Sequence, residues 1–97
     1  MRVYQAIPSR LEDFTAFFRE HLLAVQLRHG ARLVGRWATA DSQVVAVWEY
    51  DSEAEYERIQ ALVATDPDSA VAQQRRRELG ELFTSRVEQF MVSTLPE

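Results

Sequence analysis

The five residues Val44-Val45-Ala46-Val47-Trp48 are apolar at every position, so a strand built from them is apolar on both faces. A strand of that kind belongs where both of its faces are covered. Helices packed on one side of a sheet supply one cover only. The other must come from elsewhere.

Punctuation in the rest of the chain predicts which elements surround that strand. Residues 1–7 alternate as a first strand, with Val3, Gln5 and Ile7 on one face and Arg2, Tyr4 and Ala6 on the other. Pro8 ends it, and Ser9-Arg10-Leu11-Glu12 has the form of a capping box. A helix of about 20 residues is predicted from residue 10 to Arg28 or His29, closed by Gly30 as its left-handed C′ residue. Residues 31–40 and 43–50 form two strands joined at Asp41-Ser42, an antiparallel hairpin. In the first of these, Leu33, Gly35 and Trp37 alternate against Val34 and Ala38. Ser52-Glu53-Ala54-Glu55 caps a second helix that ends near Thr65, because Asp66-Pro67-Asp68 breaks the pattern and starts a new N-terminus. A further helical segment follows from about Asp68 to Leu82, and a final strand from about Ser85 to Thr94.

The order strand, helix, strand, strand, helix, strand is that of the split βαβ, or ferredoxin-like, arrangement. The fold class is therefore α+β: a four-stranded antiparallel sheet with helices on one face and the second helix broken in two. With 97 residues the chain reads as a single domain over its whole length. Because the helices leave one apolar face open, and a chain this short buries only a modest share of its surface alone, a homodimer packed through the sheet face is expected.

Several function classes are excluded by composition. There is no cysteine, hence no thiolate metal site or disulfide scaffold. All 11 basic residues are arginine, so Schiff-base and lysine general-base chemistry are unavailable. A formal net charge of −4 argues against a nucleic-acid surface. No apolar stretch approaches a membrane span, and no basic n-region with an apolar h-region opens the chain. A cytoplasmic protein without metal or cofactor is expected. The three glycines are isolated, so there is no phosphate-cradling loop.

Two side chains stand out on otherwise apolar helical faces. His21 lies at the edge of the stripe Leu11, Phe14, Phe18, Leu22 and Val25, toward the gap between helix and sheet. There it is either a catalytic acid or base, or a histidine hydrogen-bonded at a core margin. Arg75 falls between Val71 and Leu79 on the face they share with Leu82 and Phe83. It is either salt-bridged, to Glu49 or Glu88, or an anchor for an acidic or enolate-like ligand. His29 reads as a cation at a helix C-terminus. Tyr4, Trp37 and Trp48 supply aromatic bulk of the kind that lines ligand pockets and, equally, of the kind that fills sheets. The expected pocket lies between helices and sheet, bordered by His21 and by some of Tyr4, Trp37, Trp48 and Arg75.

The run His29-Gly30-Ala31-Arg32-Leu33-Val34-Gly35-Arg36-Trp37, and the later Val47-Trp48-Glu49-Tyr50-Asp51-Ser52, resemble the paired hairpin and strand-to-helix motifs of NIPSNAP-family domains. The resemblance covers nearly the whole chain, including Asp66-Pro67. Glu55 and Tyr56 stand where the family often has an arginine. The resemblance implies a dimeric α+β barrel, in which two ferredoxin-like protomers pack sheet on sheet. Relatives in that superfamily include cofactor-free monooxygenases, muconolactone isomerases, chlorite-dismutase-like haem proteins and polyketide cyclases. Two functions follow as expectations. One is a small protein binding an apolar or aromatic, possibly acidic, ligand. The other is a cofactor-independent monooxygenase or isomerase acting on an enolisable small molecule.

Overall fold

The structure, a computed structural model, describes residues 1–95. Four strands form one antiparallel sheet in the order β2-β3-β1-β4, with β1 at Arg2–Ala6, β2 at Arg32–Ala38, β3 at Gln43–Glu49 and β4 at Phe83–Glu88. The doubly apolar β3 is an inner strand, as its two faces require. β4 starts and stops earlier than the expected 85–94, and residues 89–94 are not in a strand. The helix before it is what shifts its start. Gly80 takes φ +79° and closes α4 (Pro67–Leu79), so the helix does not continue to Leu82 and the chain is already extended at Phe83.

Between β1 and β2 runs one helical segment: α1 (Leu11–Phe17), a π turn (Phe18–Leu22) and α2 (Leu23–Arg28). Ser9 caps nothing, contrary to the motif. Pro8, with its φ preset for helix, opens a 3₁₀ turn over Pro8–Arg10, so Ser9 lies inside a helical turn rather than ahead of it. The other end follows the expected Schellman geometry. Gly30 has φ +106°, its N–H donates to the Leu27 carbonyl at 3.1 Å, and the Ala31 N–H donates to the Gln26 carbonyl at 3.0 Å. α3 (Glu53–Thr65) is capped by the Ser52 hydroxyl, which accepts from the Glu55 N–H at 3.1 Å. Asp66 ends α3 and caps α4, accepting the Asp68 N–H at 2.9 Å.

All helices lie on one face. The core beneath them joins Ala6, Phe14, Phe17, Val44, Ala72 and Leu82, with Tyr4 and Phe83 packed against it. Ile59 of α3 is 1% exposed, a burial that contributes roughly 1.5–3 kcal/mol. On the opposite face, cross-strand register aligns Val87, Val3, Val45 and Trp37, with Val47 beside Gly35. Trp37 and Val87 remain 55% and 53% exposed. One row of the open face is therefore apolar across all four strands, with Gln5, Gln43 and Ser85 in the polar row beside it.

One irregularity resets β2. Leu33 pairs with Trp48 and Gly35 with Val47, so Val34 is an extra residue in a β-bulge. Leu33 consequently shares the helix-facing side with Trp48, while Gly35 and Trp37 face away. The simple alternation grouping Leu33 with Gly35 and Trp37 fails at this point.

Candidate functional site

Under the first helical segment, against the middle of the sheet, lies a cavity of about 60 Å³. Arg2 and Tyr4 of β1, Arg36 of β2, and Ala46 and Trp48 of β3 form its floor. Phe14, Phe18, Leu22 and Gln26 form its roof. Strand alternation places the floor residues: Arg2 pairs with Ala46, which pairs in turn with Arg36, so all three share one face. The roof depends on the π turn. One wide turn at Phe18–Leu22 rephases the helix, so that Val25 and Gln26 are buried in its last turns.

The walls are aromatic. Trp48 meets Phe18 edge to face at 6.1 Å, and Tyr4 meets Phe14 likewise at 5.1 Å. Two arginines supply the charge. Arg2 is matched: its Nε donates to Glu88 Oε2 at 2.6 Å, and its Nη2 to Gln60 Oε1 at 3.4 Å. Burial is the largest single influence on Arg2 and opposes its charge, but the bond and charge of Glu88 together with the Tyr4 and Tyr56 phenols outweigh it and keep the guanidinium protonated. Glu88 is correspondingly pulled below its ordinary range, its partial burial being overcome by the bonds from Arg2 and from the Tyr56 hydroxyl. Gln60 reaches on to Gln26 Oε1 at 3.0 Å, so a polar chain ties the cavity wall to α3.

Arg36 is unlike Arg2. Its guanidinium carbon lies 5.0 Å from the Phe14 ring centre and 4.8 Å from that of Phe18. Nη1 donates to Thr15 Oγ1 at 2.9 Å. Nη2 is buried and has no hydrogen-bond partner. Desolvation, followed by the neighbouring Arg19 charge, lowers its pKa below the usual arginine value despite the Tyr4 phenol.

The expected site residues do not all meet here. Tyr4 and Trp48 line the cavity. Trp37 does not: it lies on the open face of the sheet. His21 does not either. The rephased helix turns it toward α4, into a more open groove of about 230 Å³ with Arg28, Asp68 and Val71, where its ring packs 5.5 Å from Phe17 and its nearest carboxylate, Glu20, is 4.0 Å away. Arg75 is corrected most. α4 buries Ala72 rather than Val71, so Arg75 points outward, with a side chain 49% exposed and 3.9 Å from Glu78. Its proposed partners are engaged elsewhere, Glu49 with Arg32 and Glu88 with Arg2. Arg76, the next residue, reaches inward over the Phe83 ring at 4.9 Å. His29 turns from the helix end to Asp66, at 2.8 Å. Among the described residues, no cluster of three histidines or carboxylates could hold a metal ion.

Arg2, Arg36 and Gln26 were not singled out in the sequence, although a signal existed for the first. Arg2 alternates in phase with Tyr4 and Ala6, which marks it as helix-facing.

A one-layer antiparallel sheet in this strand order, with helices on one side and a polar-tipped cavity between them, defines a ferredoxin-like α+β domain. The NIPSNAP family model matches residues 1–95. The chain belongs to the NIPSNAP family. Among solved structures, an uncharacterised NIPSNAP domain protein from Burkholderia xenovorans superposes with a TM-score of 0.83 at 21% identity, covering 99% of this chain and 95% of that one. A NIPSNAP family protein from Agrobacterium tumefaciens gives 0.82 at 21% identity, covering 96% and 89%. At such identities the likeness is one of fold. A search of curated proteins finds no match. Among the described residues no helix is long and apolar enough to cross a membrane.

Proposed function

We propose that this protein is a homodimeric binding domain that holds a small apolar or aromatic ligand in the cavity between its first helical segment and its sheet. The observation that carries the reading is the cavity itself. In a close-packed interior a space of about 60 Å³ is a departure, and aromatic rings surround this one. The volume is below that of ordinary ligand sites, so the ligand is small or enters by one end only.

Dimerisation through the open face is part of the same reading. Val3, Val45, Val47, Trp37 and Val87 form a continuous apolar surface, and surfaces of that kind are interaction sites in soluble proteins. A second copy supplies a matching face by two-fold symmetry. Proton-transfer catalysis receives less support, because His21 lies in the α4 groove rather than in the cavity.

Two-dimensional NMR of the indole N–H groups tests the binding reading, with Trp48 assigned by Trp48→Phe. Neutral benzyl alcohol should shift the Trp48 signal saturably and leave Trp37 unmoved. Filling the cavity with Ala46→Val should weaken that response several-fold. An unchanged Trp48 signal up to the solubility limit overturns the reading.

A further inference from the structure

We infer that the cavity selects small organic monocarboxylates, the acid group docking on Nη2 of Arg36 while the apolar body lies against Phe18 and Trp48. The inference rests on the binding reading above and adds the ligand's chemical class and its anchor.

Three observations converge on Arg36. Its guanidinium carbon lies over the rings of both Phe14 and Phe18. Those contacts help hold the group, and its N–H groups remain for further recognition. On that edge Nη1 is taken by Thr15 and Nη2 is buried without a partner. A buried donor left unpaired carries a desolvation cost, larger when it belongs to a charged group. Among the described residues no carboxylate lies within 4.0 Å of Arg36, whereas Arg2 has Glu88. The cavity wall thus has one positive charge with no negative counterpart.

Charge and space then choose the ligand. One unmatched cation is balanced by a monoanion. A carboxylate is planar and matches a fixed guanidinium edge, at hydrogen-bond distances shorter than those of neutral pairs. A phosphate would bring a second charge and a third oxygen to one unpartnered nitrogen. The cavity, at about 60 Å³, takes only a few heavy atoms, so a larger acid enters by its carboxylate end. The lowered pKa of Arg36 is consistent with the same imbalance.

The test uses the full chain and four probes: benzoate, acetate, benzyl alcohol and inorganic phosphate, each followed by calorimetry and by the Trp48 indole signal. Benzoate should bind at least tenfold more tightly than benzyl alcohol, with acetate weaker than benzoate and phosphate weaker still. Arg36→Gln should remove the preference for benzoate, bringing its affinity level with that of benzyl alcohol. On the unmodified protein, the Arg36 side-chain Nε–H signal should move with benzoate and stay put with benzyl alcohol, which keeps the inference testable if the variant does not fold. Benzyl alcohol binding as well as benzoate, or phosphate binding better, overturns the carboxylate inference and leaves the cavity reading standing. Neither benzyl alcohol nor benzoate binding overturns both.

Discussion

Nε2 of His29 stands 2.8 Å from Oδ2 of Asp66, and that contact joins the end of α2 to the junction of α3 and α4. Arg28 donates to the same oxygen at 2.8 Å and to Asp68 at 2.9 Å. Asp66 therefore has three tasks: it ends one helix, caps the next, and receives two side chains from a third. The Asp68 N–H bond, then His29, then Arg28, hold its carboxyl below its ordinary value of 3.8. A carboxylate held down in this way stabilises the fold while ionised. The effect is present above the ordinary value and is lost as pH falls through the lower folded value. Asp66→Ala should lower Tm at pH 7 by several degrees. The gap between variant and parent should narrow as pH is taken below about 4. Thermal unfolding followed by circular dichroism at pH 7 and pH 3 measures both; an equal gap at the two values refutes the assignment.

Gly30 is the second place where one residue decides a chain reversal. Its φ of +106° is one that side chains rarely adopt, although a Cβ there would meet Ile59 at 3.6 Å and Arg58 at 3.9 Å, both ordinary contacts. The cost of Gly30→Val is therefore backbone strain rather than crowding, about 1–3 kcal/mol. Urea titration should show this as a lower midpoint with an unchanged slope.

Ile59 and Arg75 make a contrast on neighbouring helices. Ile59→Ala should cost about 2–5 kcal/mol, because the site is fully buried and leaves a cavity. Arg75→Leu should leave Tm and probe binding unchanged, since the side chain is half exposed. Loss of binding in Arg75→Leu would show that the α4 surface takes part in the site.

The open face gives a prediction about assembly. Val45 sits between Val3 and Trp37 in the register of the sheet. Sedimentation of the unmodified protein should report about twice 11.2 kDa. Val45→Glu should give the monomer mass with unchanged far-ultraviolet circular dichroism, because a charge in an apolar interface goes unpaired. A monomeric parent protein at all accessible concentrations would remove the dimer from the proposal.

Gly35 tests the same face more finely. A Cβ at this position would stand 2.5 Å from the Trp37 ring, which lies over it. Gly35→Ala should force the indole aside, changing Trp37 fluorescence while the helix-side cavity and the Trp48 signal stay as they were. A Trp48 shift would mean that the two sheet faces are coupled.

Elements set by near-neighbours in the chain could be read without the fold. Gly30 closing a helix, Ser52 capping one, Asp66-Pro67 breaking one, and the two-sided β3 all depend on backbone preferences or periodicity within a few residues. From these the element order and the ferredoxin-like arrangement follow. The candidate site was legible only in part, at Tyr4 and Trp48, whose strand alternation is regular. What failed were phases. A π turn at Phe18–Leu22 swings His21 to α4, a bulge at Val34 resets β2, and α4 settles with Ala72 inward and Arg75 out. Such choices give small local differences in energy, and only packing against a particular neighbour separates them. Arg36 is the clearest case. Its residue type and strand are in the sequence, but its place against Phe14 and Phe18, with one nitrogen unpaired, exists only once the first helical segment and the sheet have closed on it.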